Sequence, residues 1–434
     1  MKQFFTFIAL IPISLISFAQ GNMHKAIDKK ADAIEQQVIE WRRDFHEYPE
    51  LSNREFETAK KVAAHLNQLG LEVKTGIAHT GVVGILKGAK PGPTVALRAD
   101  MDALPVKERV DIPFASKEIS TYLGQEVGVM HACGHDTHVA MLMGAAEILT
   151  GMKNDLAGNV VFIFQPAEEG APPGEEGGAK LMVKEGLMND INADVIFGLH
   201  IASGIEVGKI RYKPGGALAA ADRFTIKVEG KQTHGSSPWN GVDPIVVSAQ
   251  IINGLQTIIS RQTELTNEAA VITVGKIQGG VRNNIIPESC EMIGTIRTLD
   301  TAMQRIIHEK IELTATKIAE SSGAKAIVDI QVGYPVTFNS PELTRTMLPT
   351  IFETAGEDNV LLSPARTGAE DFSFFAREVP GLFLFLGGMP KGMSPYDAAP
   401  HHTPDFFIDE SGMKLGVRTL CNLTLDYMKL HPKQ

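Results

Sequence analysis

Val160-Val161-Phe162-Ile163-Phe164-Gln165-Pro166-Ala167-Glu168-Glu169 joins an unbroken run of large apolar residues to two adjacent acids across a proline. A strand with one wet face alternates apolar and polar residues, whereas a continuous run of this length fits a strand covered on both faces. Val82–Leu86, Thr94–Leu97, Val195–Leu199 and Leu382–Leu386 read the same way, with Gly and Pro between them and helical stretches separating several. That pattern predicts an α/β domain around a mostly parallel sheet. Sites in such sheets lie just past the carboxyl ends of the strands. Thr94–Leu97 runs into Arg98-Ala99-Asp100-Met101-Asp102, Val195–Leu199 ends in His200, and the opening run ends in Glu168-Glu169. One polar residue after a strand is ordinary. Three strand ends bearing metal-ligand side chains predict one common crevice.

A second stretch, Met130-His131-Ala132-Cys133-Gly134-His135-Asp136, concentrates further ligand types. Cys133 and His135 stand two positions apart across a glycine, so in extended chain a thiolate and an imidazole face the same side and can meet one metal ion. Asp136 and Thr137 sit where a helix would begin, with Val139–Leu149 as its apolar body. Alone, this spacing fits a buried cysteine beside a satisfied histidine equally well. A Glu-Glu pair alone would be a solvated surface, but its place after so apolar a run favours a functional reading. In a regular strand Glu168 and Glu169 would face opposite ways, so an irregular turn led by Pro166 is expected.

The remainder of the chain sets the frame. With 44% hydrophobic and 21% charged residues, its 434 positions hold enough material for two or more cores. A formal net charge of -10, without a Lys/Arg block, argues against a nucleic-acid surface. Cys133, Cys290 and Cys421 lie far apart and imply no disulfide framework; the last two read as small core residues. Lys2, the apolar Phe4–Phe18, and small Ser17 and Ala19 form a secretory signal pattern, with a short membrane anchor as the other reading. Residues 1–19 are therefore expected to be removed and the protein exported, periplasmic or secreted, with no later run long enough to span a membrane. Residues 24–47 and 55–69 read as amphipathic helices, the second stopped by Gly70. Between Gly215 and Pro335 the texture changes to strands Phe224–Val228, Ala270–Lys276, Cys290–Thr298 and Ile327–Val332, with helices over 243–261 and 301–321. This β-α-β-β-α-β order predicts a ferredoxin-like satellite domain, 215–335, inserted into a catalytic domain made of 20–214 and 336–434.

Taken in order, Arg42-Arg43-Asp44-Phe45-His46, Pro49-Glu50-Leu51-Ser52, R-A-D-M-D-A-L-P (98–105), H-A-C-G-H-D (131–136), F-Q-P-A-E-E (164–169), G-L-H (198–200), G-A-E-D-F (368–372) and His402-Thr403-Pro404 form a specific set. It resembles the dinuclear-metal amidohydrolases, a family of bacterial aminoacylases, hippurate hydrolases and plant indole-acetyl-amino-acid hydrolases related to carboxypeptidase G. The resemblance spans essentially the whole chain after the leader. It implies two adjacent divalent ions held by Cys133, His135, Glu169, His200 and His402, with Glu168 as general base. It further implies that His234 reaches the scissile carbonyl, from the other subunit in dimeric relatives, and that Asn284 and Arg297 hold the substrate carboxylate. A homodimer through the satellite domain follows from the same likeness. Two departures stand out: His401 beside His402, and a loop after Glu169 lengthened by Ala171-Pro172-Pro173-Gly174-Glu175-Glu176.

Those residue types suit amide hydrolysis. Two metals about 3.5–4 Å apart generate hydroxide near neutral pH and act as Lewis acids, and a carboxylate then carries the water's proton to the leaving nitrogen. Asp102 either fixes the tautomer of a ligand imidazole or caps a helix. His234 alone would be a loop histidine; its Gly-rich neighbours and the family match give it an oxyanion role. Arg297 either pairs within its own domain or grips a substrate carboxylate with its planar fork. His46, His131 and His138 read as structural or supporting. The expected reaction is hydrolysis of an N-acyl amino acid. A carboxypeptidase or dipeptidase is the nearest rival, and an exported binding protein with a dead site the more distant one. The ligand set suits Zn²⁺ or Mn²⁺, with Co²⁺ or Ni²⁺ compatible.

Overall fold

The structure is a computed structural model describing residues 13–433; the expected leader, 1–19, falls mostly outside that range. The described chain forms two compact units. The first comprises the chain through Arg211 together with Arg345–Leu361 and the residues from Leu384 onward. Its sheet runs, in spatial order, Glu72–Ile77, Gly81–Lys87, Ala157–Gln165, Lys90–Asp100, Val195–Glu206, Gly381–Met389, Ile210–Tyr212 and Val360–Leu362. All five apolar runs lie in this sheet, and Val95, Leu97, Phe162, Phe164 and Phe197 are fully buried.

Lys90–Asp100 lies parallel to both neighbours, pairing Asp100 with Gln165 and Arg98 with Gly198. That register sets Asp100 level with Gln165, and Asp102 and Glu168-Glu169 follow those two strand ends. His200 does not follow a strand end as expected: it lies inside Val195–Glu206, two residues past the Gly198 that pairs with Arg98. Val82–Leu86 runs the other way, antiparallel to Ala157–Gln165. Only Gly88 and Ala89 separate it from Lys90–Asp100, and so short a connection reverses the chain, since a parallel return needs a crossover.

Helix His135–Thr150 is buried along nearly its whole length and packs against helices Ile13–Glu47 and Met413–Leu430. Gly144 makes the close approach feasible: a Cβ there would lie 2.9 Å from Cγ2 of Val38. Among the described residues no helix is long and apolar enough to cross a membrane.

The second unit comprises Tyr212–Thr344 and Leu362–Phe383. Its antiparallel sheet runs Ala270–Gly279, Ser289–Thr298, Ala220–Glu229 and Lys325–Tyr334, with helices Pro244–Gln262 and Thr301–Ser321 against it. The expected β-α-β-β-α-β order is present. Alternation in Ala220–Glu229 turns Phe224, Ile226 and Val228 into a core with Ile251, Leu255, Ile307 and Ile311. Asp243 and Asp300 cap the two helices by accepting backbone N–H bonds in the first turn.

Candidate metal centre

Gly134, between Cys133 and His135, sets the local geometry. Its φ is 89°, and a Cβ there would fall 2.5 Å from Cγ2 of Ile201, so only glycine serves. Past it, the Nδ1–H of His135 donates to the carbonyl of Asp102 at 2.9 Å, with the Asp102 carboxylate 3.2 Å away. A carbonyl can only accept, so Nδ1 keeps its proton and Nε2 is the nitrogen free to give one up to a metal ion. That Nε2 is buried without a hydrogen-bond partner, as a metal-ligating imidazole would be once its ion is taken away.

His200 is oriented likewise. Its Nδ1–H donates to the carbonyl of Ile201 at 2.6 Å, leaving Nε2 3.4 Å from Sγ of Cys133. His402, held in the left-handed region at φ 63°, places Nε2 3.4 Å from the same sulfur and 3.0 Å from Oε1 of Glu169. Oε2 of Glu168 and Oε1 of Glu169 lie 3.9 and 4.0 Å from Nε2 of His135. The structure thus brings Cys133, His135, Glu168, Glu169, His200 and His402 together, in overlapping clusters of ligand atoms within 4.8 Å of one another.

The Glu-Glu turn is irregular, with Ala167 at φ 51°. Oδ1 and Oδ2 of Asp102 accept the backbone N–H groups of Glu168 and Glu169 at 3.1 and 3.0 Å, and Ser52 donates to Oδ2 at 2.7 Å. Asp102 therefore couples the His135 ring to both glutamates. Charge fits the same purpose. Burial pulls the His135 imidazole down, but the Asp100 and Asp102 carboxylates outweigh it and hold the ring up at about 10. Burial, with Glu169 and Glu168 beside it, pushes the Cys133 thiol well up. A pocket so rich in carboxylates favours positive charge, and a divalent cation supplies it.

With that geometry in hand, comparison places the chain. The model of peptidase family M20/M25/M40 matches residues 96–426. The chain belongs to this family. It is 42% identical over 387 residues to thermostable carboxypeptidase 1 of Saccharolobus solfataricus, spanning 88% of this chain and 93% of that one. It is 36% identical over 381 residues to N-acetyl-L-cysteine deacetylase of Bacillus subtilis, spanning 88% and 85%. The crystal structure of the Bacillus subtilis YXEP protein, a dinuclear metal binding peptidase from the M20 family, matches with a TM-score of 0.77 and 33% identity, over 92% of this chain and 99% of that one. This M20 chain is a metal-dependent enzyme that hydrolyses amide bonds.

Sequence reasoning named several further groups of this M20 site without finding their partners. His401 places Nδ1 3.5 Å from the Cys133 sulfur while its Nε2 accepts the Ser203 N–H at 3.2 Å. With Nε2 occupied, Nδ1 carries the proton, so His401 donates toward sulfur, whereas His402 turns Nε2 to both Cys133 and Glu169. Asp100 receives the Nδ1–H of His138 at 2.6 Å and pairs with Arg98 at 2.7 Å, while His138 Nε2 accepts the N–H of Ile201 at 2.8 Å. Asp136 bonds Arg42 at 2.7 Å and His46 at 2.9 Å. Apart from Arg98–Asp100, two positions apart on one strand, only tertiary structure joins these pairs.

The other expected residues of the M20 chain lie in the second unit. His234 sits in a two-residue ladder opposite Ile285, and the N–H of Gly235 donates to the Asn284 carbonyl at 2.9 Å. His234 and Asn284 are therefore close. His234 is exposed, its Nδ1 accepting the Ser236 N–H at 3.0 Å, and Oδ1 of Asn284 is buried without a partner. Arg297 stands elsewhere, half-buried on Ser289–Thr298.

Beside Glu169 the first unit has a cavity of about 430 Å³. Leu51, Leu104, Pro105, Tyr122, Leu123 and Pro172 line it, two of them from the hairpin Ile119–Tyr122/Gln125–Gly128. Its cation, Arg54, is already paired with Glu175 of the lengthened loop at 2.5 Å.

Proposed function

We propose that this M20 enzyme hydrolyses N-acyl amino acids, releasing a carboxylic acid and a free amino acid. The observation that carries the reading is the meeting of Cys133, His135, Glu169, His200 and His402 around a space that Glu168 also faces. These five side chains would hold two divalent ions, zinc or manganese before cobalt or nickel. Bound there, the ions would acidify water and polarise the scissile carbonyl. Glu168 takes the proton of the attacking water and passes it to the leaving nitrogen. Asp102 keeps His135 in the tautomer that offers Nε2 and holds the glutamate turn in register. The family likeness further assigns His234 to the scissile carbonyl and Asn284 and Arg297 to the substrate carboxylate, roles we keep as proposals for these residues of the second unit.

The cavity beside Glu169 supports an acyl group there. Its wall is somewhat more apolar than polar, its arginine is already paired with Glu175, and nearby carboxylates would repel an anion. We further propose that the protein is exported after cleavage following Ala19 and pairs as a homodimer through its second unit. N-terminal sequencing of the mature protein and light scattering test these two points.

The carboxypeptidase relative keeps peptide hydrolysis as a second reading. Purified, metal-loaded enzyme should turn over hippurate or N-acetyl amino acids faster than dipeptides; activity on dipeptides alone rejects the first reading. Glu168→Ala should abolish turnover with near-normal metal content by elemental analysis, whereas Cys133→Ala should lower metal content too. Wild-type rates in Glu168→Ala would remove the base.

A further inference from the structure

Glu55 stands at the N-cap position of helix Phe56–Gln68, yet its side chain makes no capping bond. Glu50 does that work, accepting the N–H groups of Glu57 and Thr58 at 3.1 and 2.8 Å. The Glu55 carboxyl instead turns into the interior, where it is fully buried. Its Oε1 accepts the N–H of Ala167 at 2.9 Å, and its Oε2 accepts the Thr80 hydroxyl at 2.6 Å.

The first of these bonds falls at the strained point of the site. Ala167 is left-handed at φ 51° without being glycine, a conformation that persists only where surroundings impose it. Three successive N–H groups of this turn point at buried carboxyl oxygens: Ala167 at Glu55, Glu168 at Asp102 Oδ1, and Glu169 at Asp102 Oδ2. Asp102 holds the two glutamates, and Glu55 holds the bend before them.

We propose that Glu55 is a positioning residue: it fixes the bend at Ala167 and thereby gives Glu168 and Glu169 their different directions. The inference rests on the roles proposed for those two glutamates and adds a residue from a distant helix start. Burial, with the Asp102 charge nearby, pushes the Glu55 carboxyl up to about 8. A glutamine is therefore the closest replacement, keeping shape and the acceptor for the Ala167 N–H.

The test compares Glu55→Gln, Glu55→Ala and Thr80→Val in the full chain. Stripped protein is titrated with Co²⁺, and kcat and KM are measured on an N-acyl amino acid after reloading. Glu55→Ala should weaken at least one Co²⁺ site by about tenfold or more and lower kcat comparably, with KM little changed. Glu55→Gln should stay within about threefold of wild type in both, and Thr80→Val should fall by about threefold to tenfold at an unchanged melting temperature. Equal losses in Glu55→Gln and Glu55→Ala, or wild-type Co²⁺ binding in Glu55→Ala, would overturn the assignment. If Glu55→Ala does not fold, wild-type kcat and Co²⁺ affinity in Thr80→Val overturn it. Because Co²⁺ binding needs no substrate, a wrong choice of substrate leaves this test intact and shows separately as a chain that binds metal but spares every acyl amino acid.

Discussion

Ring nitrogens at the centre are sorted by what each cannot do. His135 and His200 both spend Nδ1–H on backbone carbonyls, so each offers Nε2 inward. Below them, Asp136 is fully buried and receives Arg42 and His46. Burial alone would raise its pKa, but Arg42 and His46 hold it well below the usual carboxylate range. Asp136→Asn should leave the buried Arg42 guanidinium with Glu410 as its remaining carboxylate at 3.2 Å, destabilising the fold by about 1–3 kcal/mol in urea unfolding at neutral pH. A depressed folded pKa adds stability above the unfolded value of 3.8, and that stability is lost as pH falls through the folded one. The gap between wild type and variant should therefore be widest above 3.8 and close in stronger acid; a constant gap would mean packing, not charge. Cys133 and His135 stood out in the sequence as ligand types two positions apart, but the chain between them is a left-handed turn at Gly134 leading into a helix, not the extended segment that spacing supposed. The bond between Asp100 and His138 was not, since those residues meet only when a strand end and a helix are brought together.

Secondary elements show a similar divide. Unbroken apolar runs announce the buried strands, whereas Ile119–Tyr122 and Gln125–Gly128 are short, polar and half-exposed, and carry no such signal. Glu55 reads as an ordinary acid at a helix start, and nothing local tells that Glu50 has taken its place. Yet the hairpin bears on specificity. A benzoyl ring burying ~100 Å² of apolar surface beside it gains about 2.5 kcal/mol. Leu104→Trp should fill the cavity and lower kcat/KM on N-benzoyl amino acids by about tenfold or more while N-acetyl substrates change little. Equal losses on both would remove the acyl group from this cavity. The helix Ile13–Glu47 carries a separate device, His24, 3.2 Å from Glu353 and 3.1 Å from Asp426. Burial lowers its pKa, but the Asp426 bond and the two carboxylate charges outweigh that and raise it above 6.5. A raised folded pKa contributes stability that is complete below 6.5 and lost as pH rises through the folded value. His24→Gln should thus lower the melting temperature more at pH about 5.5 than at pH about 9; the reverse order would refute the ion pairs as the cause.

Across the whole molecule, the first unit concentrates its acids where the strand ends meet, and the second has an apolar core of its own around Phe224, Ile251 and Ile307. Asp100, Asp102 and Glu168 are buried in the first unit, with Glu169 beside them. Their repulsion is held down, on the proposed reading, by bound cations. A ligand that binds only the folded state stabilises it by mass action, about 2.7 kcal/mol at a hundredfold excess over Kd. Removing metal with a chelator should therefore lower the calorimetric transition of the first unit by several degrees. Cys133→Ala, whose site is already weakened, should respond less to the chelator than wild type. If wild type and variant melted identically with and without chelator, the five converging side chains would be a buried polar cluster rather than a metal centre.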